Sequence, residues 1–184
     1  MLRKLARKER QVELKNIIEE NPFITDEELA KEYICSVQTI RLDRLLLGIP
    51  EVRERMKSVA KENYNKVKTA KDYEIIGELL EIDLDNKAIS YMEVLNNMVS
   101  EKNNICRGHH IFAQANMLAL SMVDAEIALT GSARIRYKRP VYLKEKLVAT
   151  AIVAKRRSNK LLIKVVTKSG AEEVFVGKFI IVTR

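Results

Sequence analysis

Two hydrophobic periods divide the chain near residue 75. Before that point apolar residues recur at helical spacing, and from about Ile76 they alternate with polar residues, which is the period of a strand. The change predicts an α+β protein with a helical N-terminal part and an antiparallel C-terminal part. We place the boundaries at residues 1–48 for a first domain, 49–73 for a linker helix and 74–184 for a second domain.

The first 47 residues predict three short helices joined by short breaks. The apolar stripe of the first helix comprises Val12, Leu14, Ile17 and Ile18. Thr25 and Glu28 have the T-x-x-E spacing of a capping box at the start of the second helix. Ser36 is a second N-cap, before VQTIRLDRLL. Helix, short turn, helix predicts a helix-turn-helix DNA-binding motif.

The third helix has the composition of a recognition helix. We expect an inward face of Val37, Ile40 and Leu45, and an outward face of Gln38, Thr39, Arg41 and Arg44. Gln and Arg make bidentate contacts to adenine and guanine edges in the major groove. Lys4 and Arg7 precede the motif, where a basic arm can neutralise phosphates. Asp43 is expected to pair with an arginine of its own helix.

GIPEVRERMKSVAKENY predicts a linker helix with one apolar face. That face comprises Val52, Met56, Val59, Ala60 and Tyr64, and the opposite face is dense in charge. Two interpretations stay open: a packed connector, or a movable element whose docking depends on ligand.

From residue 76 onward the pattern predicts two strands, one buried helix and then four strands, ALTGSARIRYKRPV, KLVATAIVAKRR, NKLLIKVVTKS and EEVFVGKFIIVTR. The first strand is expected to bury Ile76, Leu80, Ile82 and Leu84. HIFAQANMLALSMV is apolar on almost every side, which is typical of a helix enclosed by a core. This is the element order of a hot-dog fold, although the order alone allows other α+β folds.

The stretch RGHHIFAQAN holds both histidines of the chain, His109 and His110. We expect one to pack at the helix entrance and the other to face solvent, because no acid in the stretch could orient either as a base. Residues 111–123 contain no carboxylate. Arg107 and Gly108 instead predict an anion site, since an arginine before a helix N-terminus suits a carboxylate or phosphate. The prediction is binding, not catalysis, with no metal or cofactor.

Composition and charge narrow the class further. Apolar residues make up 47% of the chain, but no run approaches the roughly 20 residues that span a bilayer. The basic start is not followed by the apolar segment of a secretory signal. Cys35 and Cys106 are too few for a disulfide framework, and we expect a cytoplasmic protein. The net charge of +8 is concentrated in residues 1–10 and 134–160, which indicates anionic partners.

SVQTIRLDRL resembles the winged-helix or helix-turn-helix segment of DeoR-type repressors. Taken with NPFITDEELA, IPEVRERMKSVA and RGHHIFAQAN, the chain resembles nearly end to end the FapR family, repressors of fatty-acid and phospholipid synthesis genes. The resemblance implies a homodimer that binds palindromic double-stranded operator DNA and is released by the effector malonyl-CoA.

The resemblance also implies a set of ligand-binding residues in the second domain. Arg107 would pair with the malonyl carboxylate. Gly108 and Asn116 would line the thioester and pantetheine path, with Phe112 and Leu129 at the pocket wall. Some relatives have Phe where this chain has Ser100, which puts acyl selectivity in doubt. Charge alone suggests Lys138, Arg139, Arg156 and Arg157 as partners for the CoA phosphates.

Two alternatives remain open at this level. The chain could be an acyl-CoA thioesterase with an accessory helical domain, using His109 or His110 as base. It could also sense acyl-carrier protein instead of a CoA thioester. The predicted function is a repressor and not an enzyme.

Overall fold

The computed structural model describes residues 5–70 and 76–184. The helices are α1 (Arg7–Glu20), α2 (Asp26–Glu32), α3 (Val37–Leu46), α4 (Val52–Tyr64) and α5 (Gly108–Ser121). The strands are β1 (Glu78–Asp83), β2 (Lys87–Glu93), β3 (Ala128–Tyr137), β4 (Lys146–Arg157), β5 (Lys160–Ser169) and β6 (Glu172–Thr183). Backbone contacts divide the chain into two compact units, Met1–Ser58 and Val59–Arg184. The division falls inside α4, and the boundaries at 48 and 73 stay a prediction.

The N-terminal unit packs α1, α2 and α3 around a small core. Its buried apolar residues are Leu14, Ile18, Leu29, Ala30, Tyr33 and Ile40. The predicted capping box is present: the Glu28 amide donates to the Thr25 hydroxyl at 3.2 Å, and the Thr25 amide donates to the Glu28 carboxylate at 2.8 Å. These helices confirm the helix-turn-helix. Among residues 5–58 no strand is present, so the described part of this unit has no wing.

Two apolar residues of this unit were predicted on the wrong face. Val12 and Leu45 are exposed, and Leu45 is 79% exposed. Leu45 is five residues after Ile40, so the 100° step per residue carries its side chain about 140° away from the buried face that Ile40 occupies. The core therefore takes fewer residues from α3 than the sequence suggested.

Helix α4 has an internal polar residue near each end. In the N-terminal unit, the buried Arg55 guanidinium donates to the backbone carbonyls of Pro22 at 2.9 Å, Ile24 at 2.6 Å and Pro50 at 2.6 Å. In the C-terminal unit, the Asn63 amide donates to the Leu80 carbonyl at 2.9 Å. The predicted apolar face is at least half-buried at every position. Each end of α4 is thus hydrogen-bonded within its own unit.

The C-terminal unit is one six-stranded antiparallel sheet with α5 packed against it. The strand order is β1-β2-β4-β5-β6-β3, and α5 contacts every strand from β2 to β6. Twenty-four buried residues form its core. A sheet that encloses a single central helix in this order is the predicted hot-dog fold, and the limits of β3 to β6 match the sequence pattern closely.

The first strand departs from the predicted alternation. A β-bulge between Leu79 and Glu81 shifts the register, so Leu79 and Ile82 are the buried residues and Leu80 is only half-buried. A bulge places two residues of one strand opposite one of its partner, which inverts the alternation beyond it. Ile82 is buried and Ile76 and Leu84 pack against the core, as predicted, but Leu80 was predicted on the wrong face and Leu79 is buried instead.

Candidate functional sites

The start of α3 presents the residues predicted to contact DNA. The Ser36 hydroxyl accepts a hydrogen bond from the Thr39 amide at 3.1 Å and lies 2.9 Å from the Thr39 hydroxyl. This cap fixes the first turn of α3. Gln38 and Arg41 are exposed on its outer face, as predicted, while Thr39 is half-buried. The cap therefore holds the turn that bears Gln38, and the assignment of these residues to DNA stays a prediction.

Arg44 does not face outward, and its assignment to DNA must be corrected. It is 5% exposed, and its Nε and Nη2 donate to the two carboxylate oxygens of Asp26 at 2.7 and 2.8 Å. Its Nη1 donates to the Ile49 carbonyl at 3.1 Å. The bond to Asp26 raises the pKa of Arg44. Each guanidinium nitrogen donates one hydrogen bond inside the unit and the group is buried, so Arg44 joins α3 to α2 and is not presented to a base.

Asp43 is also internal, and its partner lies on another helix. Its carboxylate accepts from Arg10 Nε at 2.7 Å and from Gln11 Nε2 at 2.8 Å, both on α1. The prediction of a partner within α3 was wrong. Arg7 Nε is 3.9 Å from the same carboxylate, but its side chain is mostly exposed and can still reach a phosphate. Lys4 lies outside the described residues.

The predicted anion site is at the start of α5. Arg107 is the N-cap of this helix and is exposed. Its Nη1 donates to the Asn97 carbonyl at 3.3 Å, and no ion pair within the described part of the chain includes it. An exposed arginine with guanidinium donors to spare thus immediately precedes the first turn of a helix, a position that suits a carboxylate.

Gly108 is required by a neighbouring tyrosine. The Tyr137 hydroxyl of β3 donates to the Gly108 carbonyl at 2.8 Å. A Cβ on Gly108 would lie 2.9 Å from that hydroxyl oxygen and 3.0 Å from the adjacent ring carbon. The close approach that Gly108 permits is therefore made by Tyr137, which the sequence analysis did not single out.

The two histidines follow directly on α5. Their ring centroids are 4.1 Å apart, with His109 exposed and His110 half-buried, which is the predicted arrangement. Burial, and then the positive charge of His109 and Arg107, lowers the pKa of His110. Among residues 5–70 and 76–184, neither imidazole donates a hydrogen bond to a carboxylate. The pair lies beside the anion site without a residue that would orient it as a base.

Further along α5, Phe112 and Asn116 lie one and two turns after Gly108. The three positions are four residues apart, so they share one face of the helix. The Phe112 ring lies 6.0 Å from the Phe179 ring. The Asn116 carbonyl oxygen accepts from the Thr130 hydroxyl at 2.7 Å, which directs its amide nitrogen elsewhere. One helix face therefore carries Gly108, Phe112 and Asn116, and Arg107 immediately precedes it as the N-cap.

Leu129 is not brought to the same surface. It precedes Thr130 on β3, and neighbouring side chains of a strand point to opposite faces. Because Thr130 points to Asn116, Leu129 points away from α5, where it is exposed. Its assignment to the pocket wall is not supported within a single copy of the chain.

The cations proposed for the CoA phosphates fall into two groups. Arg139 forms ion pairs with Glu145 and Glu172, and Arg156 forms one with Asp85, so both already have carboxylate partners within the chain, although the Arg156 side chain stays 54% exposed. Lys138 and Arg157 are exposed. The sequence analysis missed the cluster that surrounds Lys138, which forms a concave surface lined by Arg134, Ile135, Arg136, Lys138, Val176 and Lys178. Its signal was the alternation of the cations Arg134, Arg136 and Lys138 at the end of β3 and just beyond it.

Within the described ranges two kinds of feature are absent. No group of three His, Cys, Asp or Glu side chains is arranged to hold a metal ion. No helix combines the length and the apolar composition that would let it cross a membrane.

The two units define a class: a helix-turn-helix unit followed in the chain by a hot-dog unit. No family model matches the chain. The transcription factor FapR of Caldanaerobacter subterraneus subsp. tengcongensis is 51% identical over 179 residues, which cover 97% of this chain and 90% of that protein. Transcription factor FapR of Bacillus cytotoxicus is 48% identical over 182 residues, with 97% and 92% covered. The chain belongs to the FapR family of transcription factors.

A solved structure supports the fold of the C-terminal unit. Cj0977, a sigma28-regulated virulence protein from Campylobacter jejuni, aligns with a TM-score of 0.64 at 22% identity. The alignment covers 69% of this chain and 91% of that protein. At this level of identity the likeness concerns the fold alone.

Proposed function

We propose that the chain is a cytoplasmic, homodimeric repressor of fatty-acid and phospholipid synthesis genes. It binds palindromic double-stranded operator DNA through its N-terminal unit and is released when malonyl-CoA binds its C-terminal unit. The FapR family supports a transcription factor. The observation that carries the choice of ligand is Arg107, an exposed arginine at the start of α5 with no acidic partner among the described residues.

The charge of malonyl-CoA fits the anion site. Its free carboxylate can accept two parallel hydrogen bonds from a guanidinium and lie against the N-terminus of α5. Acetyl-CoA lacks that carboxylate, so the same site gives a reason to discriminate between the two thioesters. Phe112 and Asn116, one and two turns further along the same face, would contact the acyl and pantetheine parts. The cationic surface around Lys138 offers partners for the CoA phosphates in place of Arg139 and Arg156.

Dimer formation is supported by the end of the sheet. Strand β3 is the last strand in the order and pairs on one side only, with β6. Leu129, Ile135 and Tyr137 are exposed along it. An edge strand that has one free side and exposed apolar side chains is a surface that a second copy can cover. A twofold dimer also suits a palindromic operator.

The proposed ligand role of Arg107 predicts a separation of two properties. The Arg107→Ala variant should bind DNA like the wild type, because the substitution is in the other unit, but malonyl-CoA should no longer release it. The measurement is a titration of the protein–DNA complex with malonyl-CoA at fixed salt. Lys102→Ala is the matched control, since Lys102 is an exposed cation five residues earlier. An unchanged response in Arg107→Ala would contradict the carboxylate assignment.

Release is expected without turnover. Malonyl-CoA recovered from the mixture should be intact, whereas a thioesterase would produce free CoA. Hydrolysis that is lost on replacing His109 or His110 would favour the enzyme instead.

A further inference from the structure

The solvent face of α3 is apolar at its centre. Leu42 and Leu46 are each 62% exposed, and Leu45 is the most exposed large apolar residue of this helix. Single exposed leucines are ordinary on protein surfaces. Three within five residues of one short helix form a patch, and a patch of this kind marks a surface that contacts something.

The leucines share their face with the residues predicted to contact bases. With 100° between successive residues, Leu42 lies about 40° to one side of Gln38 and Leu45 about 20° to the other, viewed along the helix axis. Arg41 flanks the same stripe. Leu42 is also only about 6 Å further along the axis than Gln38, which is within two base-pair steps of DNA. A helix that enters a groove with Gln38 foremost therefore brings Leu42 in with it.

The charge around the leucines points to a polyanion. The one acidic residue of α3, Asp43, is 2% exposed and bound by Arg10 and Gln11 on the opposite side of the helix. Asp26 is bound in the same way by Arg44. The outer face of α3 thus presents amide, guanidinium and leucine side chains without an exposed carboxylate. A protein partner would explain the leucines alone, whereas DNA explains the leucines, the amide and the cation together.

Thymine is the base that offers an apolar group in the major groove, its 5-methyl. We propose that Leu42 is a sequence-reading residue that recognises thymine through this methyl group, with Leu45 covering the contact from the side. The inference rests on the proposed DNA-binding function. It adds a leucine that recognises a base by apolar contact and not by hydrogen bonds.

The test removes the methyl group from the DNA and the side chain from the protein. The wild-type chain selects duplexes from a randomised pool, and each thymine of the selected duplex is replaced in turn by deoxyuridine, which lacks only the methyl. Binding of wild type, Leu42→Ala, Leu45→Ala and Leu46→Ala is then measured at fixed salt. Leu46 is the matched control because it has the same side chain and the same exposure but lies a full turn further along.

For wild type we expect at least one position at which loss of the methyl weakens binding about fourfold, the ratio that corresponds to one buried methyl-sized group. Leu42→Ala should be insensitive to that replacement, and Leu46→Ala should behave like wild type. The inference is overturned if wild type is indifferent to every replacement, or if Leu42→Ala keeps the full fourfold effect.

Two further outcomes would also overturn it and are distinguishable. If the leucine variants convert the dimer to a monomer in solution and leave the thymine preference unchanged, the patch contacts a second copy of the chain. If no duplex is selected from the pool, the DNA-binding function itself fails. Because all three leucines are exposed, the variants are expected to fold, and their melting temperatures should match that of wild type within about 2 °C.

Discussion

The two units are held together by different interactions. Among the described residues, the N-terminal unit has a core of six buried apolar residues and two internal ion pairs, Arg44 with Asp26 and Arg10 with Asp43. The C-terminal unit has a core of twenty-four buried residues, and its ion pairs are at the surface. A small domain buries little apolar area, so each interaction between its helices carries a large share of its stability. The ion pairs also tie α3 to α1 and α2 in one orientation.

Some buried neutral polar atoms inside the hot-dog core have no hydrogen-bond partner among the described residues. Gln114 on α5 is fully buried, and its amide nitrogen donates to the Ser90 hydroxyl at 3.1 Å. Its carbonyl oxygen and the Thr167 hydroxyl have no hydrogen-bond partner among the described residues. Unpaired neutral groups cost far less than unpaired buried charges. The Tyr33 hydroxyl of the N-terminal unit is also unpaired among the described residues, so both cores tolerate neutral groups of this kind, whereas the buried charges described in the N-terminal unit are hydrogen-bonded.

The largest effect is expected from breaking a buried ion pair. Arg44→Ala should lower the free energy of unfolding of the N-terminal unit by about 3–5 kcal/mol, because it removes the buried bidentate partner of Asp26 and leaves only the exposed Arg41 near that carboxylate. Hydrogen exchange of the α2 and α3 amides in the full chain measures it. Arg41→Ala is the control: Arg41 is 3.6 Å from the same carboxylate but exposed, so the change should cost less than about 1 kcal/mol. Normal exchange in Arg44→Ala with lost base selectivity would contradict the corrected role.

An intermediate effect is expected from overfilling the hot-dog core. A Cβ on Gly177 would lie 2.5 Å from a ring carbon of Phe179 and 3.1 Å from one of Phe175. Both rings are fully buried and cannot move into solvent. Gly177→Ala should therefore destabilise the C-terminal unit by about 1–3 kcal/mol, measured by thermal unfolding. Adding Phe179→Leu should restore part of the loss, and the absence of any restoration would show that space is not the cause.

The smallest effect comes from a surface ion pair of the C-terminal unit. Hydrogen bonds from Arg139, and then from Ser169 and the Tyr142 amide, lower the pKa of Glu145 from 4.5 to about 2. A lowered pKa in the folded state stabilises the fold above pH 4.5, and this stabilisation is lost as the pH falls toward 2. Because solvent screens this pair, we expect a loss of about 1–2 kcal/mol between these values. The free energy of unfolding, measured with denaturant at several pH values in this range, should depend less steeply on pH for Glu145→Gln than for wild type. An equal pH dependence would contradict this role of Glu145.

The sequence predicted elements better than it predicted faces. Capping residues and breaks are local, so Thr25, Ser36 and the limits of β3 to β6 could be predicted from the chain alone. Arg44 and Leu45 could not, because their environments depend on how α3 packs against α1 and α2. The β1 alternation failed for a similar reason, since a bulge is set by pairing with β2. In the candidate site, Arg107 could be predicted from its position just before a helix. Tyr137 could not, because its contact with Gly108 depends on how β3 packs beside α5.

The central claim is that a ligand of the C-terminal unit controls DNA binding by the N-terminal unit. The most direct test is fluorescence anisotropy of the wild-type chain on a palindromic promoter fragment at fixed salt, titrated with malonyl-CoA and, in parallel, with acetyl-CoA. Salt is fixed because phosphate contacts make affinity depend steeply on ionic strength. We expect malonyl-CoA to release the DNA and acetyl-CoA to leave it bound. Tight binding that neither thioester changes would contradict it.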